Sequence, residues 1–192
     1  MLVGLTGKYC AGKNFIAKML ENRGMPVLDV DLLGHSAIEA KKNEIAARFG
    51  GQVLNEGGSV NRRKLGAMVF GDECGLAALE AIIHPEVNRL TEQWIESQNG
   101  KTCVVNAALL HKSSAFGRLD RIIIVRAPLL VRLARARRRD GLPWAVLLKR
   151  FSSQRKFNAQ YLAGNADIYK VENSCCRAGS YLGRQIDAIL QK

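Results

Sequence analysis

The chain is poor in acids, aromatics and proline. It has 17 Asp plus Glu against 29 Lys plus Arg, 6% aromatic residues and four prolines in 192 residues. It also has no apolar run near the roughly 18 residues needed to cross a bilayer, so no spanning helix is expected. No charged leader or small-residue cleavage site precedes the first strand-like stretch, and a cytoplasmic protein is expected. The five cysteines, Cys10, Cys74, Cys103, Cys175 and Cys176, form no C-x-x-C, and no histidine stands at metal-ligand spacing. Reduced thiols are therefore expected rather than a disulfide framework or a zinc site. There are no repeats and no low-complexity tracts. The net charge of +12 favours a polyanionic partner, either nucleic acid or a small ligand carrying many phosphates. Hydrophobic residues make up 47% of the chain, enough for one compact unit that can carry small inserted subdomains.

The first twenty residues are the most informative. Leu2–Thr6 reads as a buried strand, and Phe15, Ile16, Met19 and Leu20 follow with helical spacing. Between them lies Gly7-Lys8-Tyr9-Cys10-Ala11-Gly12-Lys13-Asn14, a G-x-x-x-x-G-K phosphate loop that closes on Asn14 where Ser or Thr is usual. The glycines let the backbone wrap a phosphate, the amides and the following helix end favour negative charge, and Lys13 reaches the β- and γ-phosphates. The alternative is a Gly-rich turn with an exposed lysine. A Ser or Thr hydroxyl at the last position usually ligates Mg²⁺; the Asn14 carbonyl oxygen is a hard ligand too, on a bulkier side chain.

Further along, Pro26–Val30, Thr102–Asn106, Arg121–Val125 and Ile168–Val171 read as short strands separated by helices. The predicted helices cover about 32–49, most of 62–98 with breaks near 71–75 and at Pro85, 128–139, 143–162 and 181–190. This alternation predicts an α/β fold: a parallel sheet of the P-loop NTPase type flanked by helices. Two helix-rich stretches interrupt it. The expected division is a nucleotide-binding core of 1–35, 100–127 and 164–192, a helical substrate domain of 36–99 and a lid of 128–163.

Asp29 and Asp31 stand at the end of the second strand, where open parallel sheets place their sites. If the strand runs that far, both side chains share one side, and one can take a proton from an attacking hydroxyl. The alternative is that Asp31 caps a helix starting at Leu32. The stretch 132–156 holds nine basic residues, including Arg132, Arg135, Arg139, Arg150 and Arg155, with Asp140 as its one acid. Arginines on a helix pair beside a phosphate loop can clamp transferring phosphates; about half of them are expected on a solvated face. A nucleic-acid surface is the rival reading, and the few aromatics nearby, Trp144, Phe151 and Phe157, do not interleave with the charges as it would require. Each of His35, His84 and His111 is more readily structural than catalytic when taken alone, although His35 could face a substrate cleft.

Taken in order, these pieces resemble the dephospho-coenzyme A kinase family over nearly the whole chain. The matching features are GLTGKYCAGKN, the D-x-D strand end PVLDVDLLGH and the element Asn61-Arg62-Arg63-Lys64-Leu65. They continue with His84-Pro85, Arg135 through Arg139-Asp140, Gln154, Ala166-Asp167 and Asn173. The resemblance implies transfer of phosphate from ATP, with Mg²⁺, to the ribose 3′-hydroxyl of dephospho-coenzyme A. It implies Asp31 as base, Lys13 on the phosphates and Arg139 as lid clamp. It further implies ATP contacts from Lys8, Tyr9, Cys10, Ala11, Gly12, Lys13, Asn14 and Asn173, the last near adenine. Asp31, His35, Arg63, His84 and Leu110 fall on the substrate side, and Asn14 is the metal-side residue. A monomer or small homo-oligomer is expected. The chain departs from the family at Asn14, at Lys8-Tyr9-Cys10-Ala11 in place of Gly-Ile-Gly-Ser, at Ala108 in place of proline and at Lys112 in place of glutamate. Another small-molecule kinase on this fold, or a weakly active or non-catalytic nucleotide-binding homologue, is the alternative.

Overall fold

Five strands form one sheet in the order β2-β3-β1-β4-β5 in the computed structural model, which describes residues 1–152, 166–174 and 178–191. The strands are β1 (Leu2–Gly7), β2 (Val27–Asp29), β3 (Cys103–Asn106), β4 (Arg121–Arg126) and β5 (Asp167–Glu172). β1 runs parallel to β3 and to β4, and β4 runs parallel to β5. All six residues of β1 and all four of β3 are buried, as are Ile122–Val125 of β4. Strands covered on both faces need apolar residues at every position, which is why they read as continuous runs rather than alternations. β1 is central, with β3 on one side and β4 on the other. The strand order therefore reverses at the carboxyl end of β1, the place where such sheets bind ligands.

Helices α1 (Lys13–Glu21) and α8 (Ala178–Leu190) cover one face. Val3, Leu5, Ile16, Leu20, Ile123, Leu182 and Ile186 form its core, each with no exposed surface. At about 1.5–3 kcal/mol per fully buried aliphatic side chain, this layer is a principal source of stability. Arg23 ties the two helices by donating from Nε to Asp187 at 2.7 Å and from Nη1 to the Met19 carbonyl at 3.0 Å. At Gly4 of β1 a Cβ would lie 2.6 Å from Leu110 Cδ2 and 2.7 Å from Leu119 Cδ1, so a side chain there would displace both leucines.

The chain divides into two compact units, residues 1–28 with 95–192, and residues 29–94. The first holds the sheet together with α6 (Leu129–Asp140) and α7 (Trp144–Ser152). α6 stops at Gly141, whose φ of 64° suits the left-handed closing turn, and Arg137, Arg138 and Arg139 complement the negative helix end. The second unit is helical: α2 (Val30–Ala40), α3 (Lys42–Phe49), α4 (Arg62–Val69) and most of α5 (Glu73–Ser97). Its own core joins Ile45, Val53, Val60, Leu65, Val69 and Leu79.

Several boundaries differ from the sequence reading. β2 ends at Asp29, and helix begins at Val30. Asp29 and Asp31 are therefore not alternate residues of one strand. The cap is Asp29, whose carboxylate accepts from the Asp31 N–H at 3.0 Å, so Asp31 does not cap. The expected helix over 32–49 is two helices meeting at Lys41. Pro85 does not interrupt α5 but lies inside it. An internal proline costs about 3 kcal/mol of helix stability. Packing offsets this: Leu79, Ile82 and Ile83 sit on the core before it, and beyond it buried Thr91 donates its hydroxyl to the Val87 carbonyl at 2.8 Å. Of the helix expected over 143–162, Trp144–Ser152 is observed; Gln154, Arg155, Lys156, Phe157, Cys175 and Cys176 lie outside the described residues.

Candidate active site

The loop from Gly7 to Asn14 joins β1 to α1 at the reversal point of the sheet. Its shape needs two left-handed residues, Cys10 at φ 58° and Gly12 at φ 98°. A short turn closes within it, with the Ala11 N–H donating to the Lys8 carbonyl at 2.9 Å. Gly12 has a second reason to lack a side chain: a Cβ would stand 2.1 Å from Asn173 Nδ2. At Gly7 a Cβ would lie 2.9 Å from the Val125 carbonyl oxygen.

The loop carbonyls are held from outside. The Tyr9 carbonyl accepts from Arg132 Nε at 2.9 Å. The Ala11 carbonyl accepts from Asn173 Nδ2 at 2.9 Å and from Arg135 Nη1 at 3.2 Å. Arg135 Nη2 also donates to the Asn173 carbonyl at 3.1 Å, and the Asn173 N–H donates to the Arg126 carbonyl at 2.8 Å. In a trans peptide the C=O and the next N–H point opposite ways. With the Tyr9 and Ala11 carbonyls drawn outward, the N–H groups of Cys10 and Gly12 turn to the other side. Together with the first amides of α1, they are donors of the kind that suit an anion.

Cationic groups crowd this loop. Arg132 is 7% exposed and stacks its guanidinium 4.6 Å from the Phe151 ring centre. Burial holds its pKa below the usual arginine value. Lys8 also has a lowered pKa, from burial first and then from Arg132 and Arg126. Tyr9 meets the α6–α7 pair: its hydroxyl donates to Asp140 and accepts from Arg150 Nη1 at 3.2 Å. Its ring stands edge-on to Phe151 at 5.4 Å. The Arg139 and Arg150 guanidiniums lie 5.1 and 5.7 Å from the Tyr9 ring centre. Arg139 grips Asp140 through Nε at 2.7 Å and Nη2 at 3.2 Å. At exposed sites each cation–ring contact contributes about 0.5–1 kcal/mol.

The first unit thus brings Lys8, Tyr9, Cys10, Ala11, Gly12, Lys13, Asn14, Arg139 and Asn173 to one neighbourhood around the loop. Lys13 is half-buried and Asn14 exposed on the first turn of α1. Asn173 is 4% exposed and donates its side-chain amide to the Ala11 carbonyl, next to Gly12. Leu110, expected on the substrate side, has no exposed surface and packs against Gly4 as a core residue. The second unit holds Asp31 and His35, exposed one helical turn apart on α2, Arg63 exposed in the first turn of α4, and His84 half-buried in α5. The supporting roles of Arg132 and Arg135 were hidden in the basic run. Their signal is the spacing of Arg132, Arg135 and Arg139 on one stripe of α6, with Arg132 set among Leu129, Val131, Leu133 and Ala136.

Among the described residues no group of three or more His, Cys, Asp or Glu could hold a metal ion, and no helix is long and apolar enough to cross a membrane. A cation at this loop would draw its oxygens chiefly from phosphate and water. The Asn14 amide oxygen, on the exposed first turn of α1, is chemically suited to add one.

The model of one family, dephospho-CoA kinase, matches residues 1–174. The chain belongs to the dephospho-CoA kinase family. A Treponema pallidum dephospho-CoA kinase is 32% identical, covering 100% of this chain and 94% of the relative. A crystal structure from Thermus thermophilus aligns with a TM-score of 0.83 at 32% identity, covering 100% of this chain and 96% of that one. A dephospho-CoA kinase from Campylobacter jejuni aligns with a TM-score of 0.66 at 20% identity, covering 99% and 95%, and shares the fold. In this chain the Tyr9 side chain meets α6 through Asp140 and α7 through Arg150.

Proposed function

We propose that this chain transfers the γ-phosphoryl group of ATP to the ribose 3′-hydroxyl of dephospho-coenzyme A, the closing step of coenzyme A synthesis. The observation that carries the reading is the outward anchoring of the Tyr9 and Ala11 carbonyls by Arg132, Arg135 and Asn173, which turns loop amides toward an anion. Phosphoryl transfer asks the protein mainly for positioning and charge stabilisation. The loop amides and the α1 end hold the phosphates, and Lys13 follows the γ-phosphoryl group. Arg139 offsets the charge that spreads over its oxygens. Asp31 takes the proton of the 3′-hydroxyl as its oxygen forms the new bond to phosphorus and the bond to the ADP oxygen breaks. His35, together with Arg63 and His84 of residues 36–99, serves the acceptor, and residues 128–163 act as a lid. Mg²⁺ would be held on the protein side by the Asn14 side-chain oxygen and would lower the charge of the nucleotide phosphates. The net charge of +12 suits two polyanionic substrates, and the cytoplasm is the fitting compartment.

The test is an assay of folded protein with ATP, dephospho-coenzyme A and either Mg²⁺ or Mn²⁺, beside a panel of other hydroxyl acceptors. Absence of transfer to dephospho-coenzyme A with both metals refutes the proposal. Asp31→Asn is expected to lose at least about a hundredfold in turnover, as for removal of a general base, while calorimetry shows ATP binding retained. Near-normal turnover of that variant would remove Asp31 from the base role.

A further inference from the structure

Tyr9 projects from the phosphate loop, and its ring lies where two arginines of the α6–α7 pair meet that loop. Its hydroxyl donates to Asp140 and accepts from Arg150 at 3.2 Å. The Arg139 and Arg150 guanidiniums stand 5.1 and 5.7 Å from its ring centre, and Phe151 buttresses the ring edge at 5.4 Å. Two like charges gathered over one small area repel each other. Three features offset that repulsion: the negative ring face of Tyr9, the Asp140 carboxylate gripping Arg139 at 2.7 Å, and the same carboxylate 3.8 Å from Arg150 Nη1. The backbone beneath is fixed independently, since Arg132 holds the Tyr9 carbonyl at 2.9 Å.

We propose that Tyr9 is a positioning residue for nucleotide binding: its ring is the platform that collects Arg139 and Arg150 at the rim of the phosphate loop, and its hydroxyl orients Asp140 behind them. The proposal rests on the reading of the loop as an ATP site. It makes nucleotide affinity in this chain depend on a contact between loop and lid helices that a small residue at position 9 cannot form. The ring acts through the arginines, so Tyr9 and Arg139 are energetically coupled. A residue that merely packed the loop would not be coupled to Arg139.

The experiment measures ATP affinity by calorimetry for the full chain and for Tyr9→Phe, Tyr9→Ala, Arg139→Ala and Tyr9→Ala with Arg139→Ala together, each checked by thermal melting. Tyr9→Phe keeps the ring and is expected within about threefold of the parent. Tyr9→Ala is expected to weaken ATP about tenfold, and Arg139→Ala is expected to weaken it much less in the Tyr9→Ala background than alone. Tyr9→Leu, which keeps apolar bulk but has no aromatic face, stands in if the alanine variant does not fold and is expected to behave like it. Multiplying effects of the two single substitutions overturn the proposal, as does a Tyr9→Phe variant as weak as Tyr9→Ala. Turnover of dephospho-coenzyme A by the parent is measured separately. A parent that binds ATP without transferring phosphate refutes the proposed reaction and leaves the Tyr9 result standing. A parent that binds no ATP overturns both.

Discussion

Replacing Gly12 by alanine separates two constraints that coincide in the loop. The first is local. An L-residue at φ 98° is strained by about 1–3 kcal/mol wherever it occurs. The second is tertiary. The new Cβ would arrive 2.1 Å from Asn173 Nδ2, far inside van der Waals contact. Asn173 is 4% exposed, and its amide is held by the Ala11 carbonyl at 2.9 Å and its carbonyls by Arg135, so it cannot swing away without leaving a buried donor unbonded. That loss costs about 1–3 kcal/mol. Together Gly12→Ala should destabilise the chain by about 2–6 kcal/mol, a fall in Tm on the order of 10 °C for a protein of this size. The two parts are resolved by repeating the substitution in an Asn173→Ala background, where no amide stands in the way. There only the backbone part remains, so the two substitutions should show a coupling of about 1–3 kcal/mol. Chemical denaturation with urea of the four proteins, with ATP calorimetry alongside, reads both stability and loop function. Equal penalties for Gly12→Ala in the two backgrounds would falsify the claim that Asn173 braces the loop. A penalty near zero in the parent would show that the loop is not held in the left-handed conformation at all.

Two other outcomes are expected. Asn14→Ser restores the smaller hydroxyl ligand and should raise kcat, or leave it unchanged, in steady-state assays with Mg²⁺; a loss of more than about tenfold would show that the asparagine itself is required. His111 has its pKa held below 6.5 by burial first and by Lys112 second. The unfolded chain therefore binds that proton more readily, so this group's contribution to stability is lost as the pH falls through about 6.5 toward the folded value. Urea midpoints at about pH 7.5 and about pH 5.5 should show a steeper acid loss for the parent than for His111→Gln, and parallel losses would refute this.

Much of the frame was legible from residue order. β1, the loop and α1 stand out because a strand buried on both faces must be apolar throughout, a phosphate loop needs glycine where a Cβ would clash, and an amphipathic helix repeats every three to four residues. Those signals are local, so Leu2–Gly7 and Lys13–Glu21 appear almost where they were expected. β3 and β4 were equally plain for the same reason. The alternation of these strands with helices also implied a parallel sheet, and the observed register agrees. The Asp29-x-Asp31 pair shows where local signals run out. A strand end and a helix start share polar residues, and the hydrogen bond from the Asp31 N–H to Asp29 decided that the chain turns one residue earlier.

The sequence by itself determined the strand–loop–helix unit, the basic helix pair and the ordered set of motifs that mark the family. Only the tertiary structure decided the uses of particular side chains. Asn173, 162 positions from Ala11 in the chain, became a brace for the loop because β5 pairs with β4 and β4 with β1, a neighbourhood set by strand order. Leu110 became core because Gly4 leaves room for it. Pro85 stayed inside a helix because the packing of Leu79, Ile82 and Ile83 outweighs one lost hydrogen bond. Arg132 and Arg135 turned to the loop carbonyls, since a buried guanidinium needs acceptors and the backbone of residues 9–11 supplies them. Propensity and spacing are properties of neighbours along the chain, whereas burial and hydrogen-bond partners depend on which distant segments the fold brings together.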